Sequence, residues 1–499
     1  MSEYTNFQLG SLISNSTRME IKIAEYLHDN KRYVGTDELC QVFKITGFYA
    51  RKIQHMLEEH VRELNRPDHV VKLLSKGIKL EVPTETDLNY LIIFLWNTSP
   101  KIKIIENIFL GRFNSVTQYS IDNHLSEATV RRRLSEVRKT LKQLNINVTQ
   151  GKKIEFEGNE VQIRLFLLSF YWRLYGGLVW PFPFTNERKI EIIVEAIESD
   201  CVFKDLNSLD KKRIMYLFTI IEIRINNKKF VEEPKSFKTT KNVNHIKELF
   251  YNTGIVNKEK NGELYFIYNL FKGFCLFSNM EKELAYEIDN KMPAGIATQY
   301  SMDKISKTFL YIENIQVKEV ETFLFSAHVF ANLTKDFFTD MNGYYYNNLI
   351  NKYSPCLKKK LVTYFKLAEK ETSLSLFKEH QFLLSQYTLL VISLLNTVPI
   401  ETEVIIYLET DFLDIVNNIF ERKIRNHFQN KYNITVLSSL EEKNRDDIDI
   451  LLTTIPVSEY TKQFPKSKIV AIKNVLHFSD YARIEKAIIS VLLKHKDKY

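Results

Sequence analysis

Apolar positions along the first part of the chain recur at helical spacing, in blocks separated by short polar stretches. Ile21, Ala24, Leu27 and His28 predict a first helix, and Thr36 is expected to cap a second that runs through Leu39 and Phe43. Ile45-Thr46-Gly47 reads as a turn into a third helix, with Thr46 as its cap and Ile53, Leu57 and Leu64 on its buried side. Pro67 ends that helix before an alternating segment, Gly77-Ile78-Lys79-Leu80-Glu81-Val82, which predicts a hairpin strand after a turn glycine. An apolar helix, Asp87 to Asn97, follows, and then the order repeats. Ile104, Ile105, Ile108 and Phe109 mark one helix and Val116 to His124 a second. In a third, Val130, Leu134, Val137 and Leu141 form a single buried stripe. Gly151-Lys152-Lys153-Ile154-Glu155-Phe156 then repeats the glycine-led strand.

The repetition extends to the chemistry. Thr46 to Lys52 and Ser126 to Arg132 each place a capping hydroxyl, a small apolar residue four positions later, and then two cations. A basic third helix followed by a hairpin, twice over, is the pattern of tandem winged helix-turn-helix modules, which set a helix in the major groove of duplex DNA. Candidate DNA contacts are Arg51, Lys52 and Lys79 in the first module. In the second they are Arg131, Arg132, Arg133, Arg138, Lys139, Lys142, Lys152 and Lys153. These last eight cations face only Glu127 and Glu136 between residues 126 and 153, whereas Glu58, Glu59 and Glu63 offset the first module.

Beyond Val161 the pattern is helical to about Thr397, with helices expected at Ile163–Leu174, Ile190–Ile197, Arg213–Ile225, Leu264–Phe277, Val320–Leu333 and Phe377–Leu395 and a seam near Met292-Pro293-Ala294-Gly295. Gln381 to Ile400 carries no charge over 20 residues, long enough to span a bilayer. Ser385, Gln386, Thr388, Ser393 and Asn396 interrupt it, so a buried helix is expected and no membrane span. After Pro399 the texture changes. Short apolar strands at Val404–Leu408, Ile434–Leu437, Ile448–Leu452 and Ile469–Ile472 alternate with helices at Asp414–Gln429 and Tyr481–Lys494, implying a small open α/β sheet.

At 499 residues the chain exceeds one core. The expected class is multidomain and mainly α: a winged helix-turn-helix in 1–86, a linking helix and second winged helix-turn-helix in 87–160, helical bundles in 161–290 and 291–398, and an α/β domain in 399–499. A net charge of +8 with 26% charged residues describes a mildly basic protein and no polycationic tail. Cys40, Cys201, Cys275 and Cys356 are far apart, which fits a reducing cytoplasm and neither disulfides nor a zinc site. No Gly-rich phosphate loop, His-Glu-x-x-His or nucleophile elbow is present, so no catalytic residue, cofactor or metal is expected. The rival to a regulator is a phosphoryl-transfer or nucleic-acid-processing enzyme that docks through its winged helices.

This order of modules resembles the Mga family of Gram-positive virulence and carbon-responsive transcription regulators. The most specific matches are the duplicated recognition helices and wings quoted above. The resemblance implies two helical phosphotransferase-system regulation domains and a C-terminal domain like sugar enzyme IIB. It implies promoter DNA as partner, a homodimer formed through the C-terminal domain, and control by histidine phosphorylation from a phosphocarrier protein; it favours activation. His245, His328 and His380 are the candidate phosphorylation sites, with His245 in the polar stretch Asn242 to Lys247 and His328 in an apolar one. No cysteine follows the first strand of the C-terminal domain, where Glu409-Thr410-Asp411-Phe412 stands instead, so phosphocysteine transfer is not expected there.

Overall fold

The computed structural model describes residues 10–74, 77–151, 153–234, 241–252, 261–308, 317–337, 339, 343, 355–394, 403–429, 432–440 and 445–496. Their packing divides the chain into two units. The first comprises residues up to 301 with 321–345 and 374–383; the second comprises 302–320, 346–373 and 384–499.

The first unit begins with three helices, α1 (Asn15–Asn30), α2 (Thr36–Phe43) and α3 (Gly47–Leu64), and a hairpin of β1 (Val70–Leu74) and β2 (Gly77–Glu81). Ile23, Ala24, Leu27, Leu39, Ala50, Ile53, Leu57 and Ile78 are fully enclosed between them. Thr46 caps α3 as expected, its Oγ1 accepting from the Tyr49 amide at 3.3 Å. Thr36 is not the cap of α2; Gly35 occupies that position in extended conformation with no side-chain bond. Val34 exchanges two backbone hydrogen bonds with Ile78, at 2.9 and 3.0 Å, adding a third edge to the hairpin.

Helix α4 (Glu85–Asn97), capped by Thr84, leads to the second module: α5 (Pro100–Phe109), α6 (Val116–Asp122) and α7 (Glu127–Lys142). Ser126 caps α7 by accepting from the Thr129 amide at 3.2 Å, and Val130, Leu134, Val137 and Leu141 are buried along one stripe. The second hairpin departs from expectation. Among the described residues its strands are β3 (Asn147–Val148) and β4 (Phe156–Glu157), and Gly151 and Lys153 to Glu155 are not strand. The Thr149 side chain closes that segment instead, donating to the Lys153 carbonyl at 2.7 Å and accepting from the Glu155 amide at 2.9 Å.

Helices α8 (Glu160–Tyr175), α9 (Glu187–Glu198), α10 (Ser208–Asn226), α11 (Lys241–Asn252), α12 (Asn261–Gly273) and α13 (Met280–Asp289) continue the helical region. Pro293 opens α14 (Pro293–Thr308), and α15 (Val317–Leu333) and α16 (Pro355–Thr372) follow. The expected helix Phe377–Leu395 is in fact a 3-10 turn, Ser375–Lys378, and a separate helix α17 (His380–Leu394), with Glu379 between them in non-helical conformation. Among the described residues no helix is long and apolar enough to cross a membrane.

Buried ion pairs fix the start of this region. Arg164, with no exposed surface, donates to Glu160 at 2.9 Å, to both carboxylate oxygens of Glu263 and to the Lys229 carbonyl. Arg224 clamps Glu160 from α10 at 2.8 and 2.6 Å. Burial alone would push Glu160 up, but Arg224 and Arg164 outweigh it and hold the carboxyl below its ordinary range.

In the second unit four parallel strands, β5 (Val404–Glu409), β6 (Ile434–Leu437), β7 (Ile450–Thr453) and β8 (Lys468–Ala471), stand in the order β6-β5-β7-β8. The third strand starts two residues later than expected. Helices α18 (Asp414–Phe428), α19 (Tyr460–Gln463) and α20 (Phe478–Lys496) complete the domain. Val404, Ile406, Leu408, Ile450 and Leu452 pack with Phe420, Ile424, Phe428 and Ile488 on one face, and Ile405 and Leu451 with Phe464 on the other. Burial on both faces accounts for strands that read as unbroken apolar runs.

Candidate nucleic-acid interface

The capped third helices determine which cations face outward. In α3 the buried stripe of Ala50, Ile53 and Leu57 leaves Arg51 and Lys52 exposed, and neither makes an ion pair among the described residues. Farther along, Glu58 takes up charge from Arg62 at 3.5 Å. On the wing, Lys79 and Lys72 both bond Glu81, at 2.9 and 2.7 Å. Those two hydrogen bonds hold the Glu81 carboxyl below its ordinary range. Glu81 therefore offsets part of the charge that Lys72 and Lys79 bring to the first wing.

The second module is different. Arg132, Lys139 and Lys142 are exposed on α7 and unpaired among the described residues. Arg131 is exposed and shares a surface pair with Glu127 at 3.0 Å, a contact weak enough to yield to a phosphate. Glu127 in turn accepts from Thr117 on α6 at 2.6 Å, tying the two helices of the motif together. Lys153 reaches Glu155 while remaining exposed at the wing. Lys152 lies outside the described residues.

Two of the eight cations are committed inward. Arg138 donates from Nε to the Val148 carbonyl at 3.2 Å and from Nη2 to the Thr149 carbonyl, so its guanidinium bolts the wing to α7. Burial pushes its pKa down, in keeping with a half-enclosed site. Arg133 is half-buried against Glu136 at 3.1 Å, with its Nε enclosed and without a hydrogen-bond partner among the described residues. Arg138 and Lys139 are neighbours in sequence, and helical spacing alone does not reveal that the wing folds over the first and not over the second.

The three candidate histidines sit in different surroundings. His245 on α11 is exposed and its Nε2 lies 2.6 Å from Asp200 Oδ2. His328 on α15 has no exposed surface, its Nδ1 is 2.9 Å from Thr298 Oγ1, and burial pushes its pKa down to about 3. His380 opens α17 and is half-buried.

Residues 84–171 match the Mga helix-turn-helix domain. That span starts at Thr84, the cap of α4, and runs into α8, so it takes in the linking helix and the whole second module. A protein of Streptococcus pneumoniae serotype 4 named "Putative trans-acting regulator" is 22% identical over 228 residues, 45% of this chain and 44% of that protein. The capsule synthesis positive regulator AcpA of Bacillus anthracis is 23% identical over 272 residues, 54% of this chain and 52% of that protein. The chain thus spans about half the length of the curated relatives it matches. Both relatives are named as regulators and neither as an enzyme. The second winged module and the linking helix before it are thus similar to an Mga helix-turn-helix domain, and about half of the chain is similar to two proteins named as regulators.

Proposed function

We propose that the protein is a cytoplasmic DNA-binding transcriptional regulator that acts as an activator, in keeping with a relative named a positive regulator. The observation that carries this reading is the exposed basic face of α7, where Arg131, Arg132, Lys139 and Lys142 project from a Ser126-capped helix inside the Mga helix-turn-helix domain. Such a helix enters the major groove while the wing, through Lys153, touches adjoining phosphate. Arg51 and Lys52 of the first module add positioning contacts. About six phosphate contacts correspond to a slope near −5 in log affinity against log salt. The test is equilibrium binding to promoter-length duplex across a salt series, with the native chain beside Arg131→Ala/Arg132→Ala. A slope reduced by about 2 supports the reading, since each lost phosphate contact removes about 0.9; an unchanged slope and affinity overturn the assignment to α7.

Control through sugar-phosphotransferase status is the regulatory half of the proposal. His245 is the acceptor best suited to it, because its ring is exposed to a phosphocarrier protein and Asp200 orients the imidazole. A phosphoryl group there would place about two negative charges beside Asp200 and displace the pair.

The dimer is assigned to the C-terminal α/β domain. Leu413, Ile415 and Ile419 at the start of α18 are 77%, 70% and 40% exposed, with Ile415 and Ile419 one helical turn apart. Apolar side chains so placed fit a second copy of the chain. Sedimentation of Leu413→Glu/Ile415→Glu should give monomer where the native chain gives dimer; equal mass in both would move the contact elsewhere.

A further inference from the structure

A cluster unrelated to the basic face lies where the first module meets the linking helix. His28, in the last turn of α1, is 6% exposed, and its Nδ1 is enclosed and forms no hydrogen bond among the described residues. That nitrogen points at two carboxylates: Asp29 Oδ1 at 3.8 Å and Glu85 Oε1 at 3.7 Å. The three donor atoms all lie within 4.8 Å of one another. Neither carboxylate is close enough to take a hydrogen bond from the ring. A buried nitrogen left in this way costs on the order of 1–3 kcal/mol. The acidic field extends further, since burial and then the charges of Asp29 and Glu85 raise the neighbouring Glu25.

We propose that His28, Asp29 and Glu85 form a site for one divalent transition cation, of the Mn²⁺ or Zn²⁺ kind. One imidazole nitrogen and two carboxylate oxygens, with water completing the shell, suit such ions, whereas Mg²⁺ and Ca²⁺ prefer oxygen alone. Metal–ligand bonds of about 2.1 Å place neighbouring donors roughly 3–3.5 Å apart, so the carboxylates need to close on Nδ1 by about half an ångström and on each other by up to about 1.5 Å. Their side chains are 73% and 76% exposed and can make that movement. His28 and Asp29 lie in the last turn of α1, where the partial negative charge of the helix end favours a cation. His28 also lines a cleft of about 310 Å³ with Lys31, Asp68, Lys79 and Glu81, in which Lys79 is held by Glu81. A bound ion gives Nδ1 its partner, relieves the repulsion of Asp29 and Glu85, and ties the end of α1 to the first turn of α4. Because α4 leads into the second module, occupancy would stiffen the connection between the two DNA-binding modules.

The test needs no DNA and so is independent of the function proposed above. Chelator-treated full-length protein is titrated calorimetrically with MnCl₂ and with ZnCl₂, beside Asp29→Asn/Glu85→Gln, in which only exposed side chains change. One ion per native chain is expected, with affinity lowered on the order of 10- to 100-fold or more in the double variant, since loss of even an outer-shell partner has that effect. The melting temperature of the native chain should rise with metal while that of the variant stays put. Equal binding by both proteins, or binding by neither, would overturn the site. His28→Gln, checked by circular dichroism for a native fold, removes the nitrogen ligand and should weaken binding likewise; undiminished affinity in it would also overturn the site.

Discussion

Gly77 lies against Val34 so closely that a Cβ added to it would stand 2.3 Å from the Val34 carbonyl oxygen. Its φ of +132° is also one that side chains rarely adopt. Gly77→Ala should therefore part the first hairpin from the Val34 edge, at a cost on the order of 1–3 kcal/mol. Amide exchange at Ile78 and Val34 would read this out, since each donates to the other's carbonyl. Unchanged protection would show that the hairpin is held elsewhere.

Arg138 and Arg132 should separate in binding experiments although both are cations of the same helix. Arg138→Ala removes the bonds to Val148 and Thr149 and frees the wing, so affinity should drop with the salt slope reduced by less than one contact. Arg132→Ala should lower the slope by about 0.9 and leave the fold untouched. The reverse pattern would mean that Arg138 turns to the phosphate and Arg132 does not.

Arg164→Leu would strand Glu263, which has no exposed surface. Removing one partner of a buried pair costs about 3–5 kcal/mol, and replacing both by apolar residues restores much of it. Urea unfolding of Arg164→Leu and of Arg164→Leu/Glu263→Leu tests this. A single variant as stable as the native chain would contradict the structural role of the pair.

His328 makes stability depend on acid. In the unfolded chain the ring titrates near 6.5, whereas in the folded chain burial pushes its pKa down to about 3. The unfolded state therefore binds the extra proton between those values. The contribution of His328 is whole above about pH 6.5 and falls by roughly 1.4 kcal/mol for each unit below it, until about pH 3. Comparing urea midpoints of the native chain and His328→Gln at pH 7 and pH 5 isolates the effect, and an equal pH response in the two would refute it.

Phosphorylation should discriminate between the same histidines. After incubation with enzyme I, phosphocarrier protein and phosphoenolpyruvate, the native chain and His328→Gln should gain a phosphoryl mass and His245→Ala should not. A gain in His245→Ala would shift attention to His380. No gain in any protein would remove phosphotransferase control from the proposal.

Local chemistry was legible in the order of residues alone. Thr46 and Ser126 cap helices because a hydroxyl ahead of an apolar-periodic run can serve the unpaired amides of the first turn. The buried stripes of α3 and α7 follow from 3.6-residue spacing, and the parallel strands from their unbroken apolar runs. Packing between distant segments settled what local pattern leaves open. It set which of two adjacent cations, Arg138 or Lys139, is spent on the wing, since that depends on where the chain returns ten residues later. The second hairpin shrank to two short strands because the Thr149 side chain supplied bonds that a ladder would have made. Burial separated His328 from His245, and juxtaposition placed His28 beside Glu85, fifty-seven positions away in the chain. Such contacts depend on long-range packing, which residue spacing does not encode.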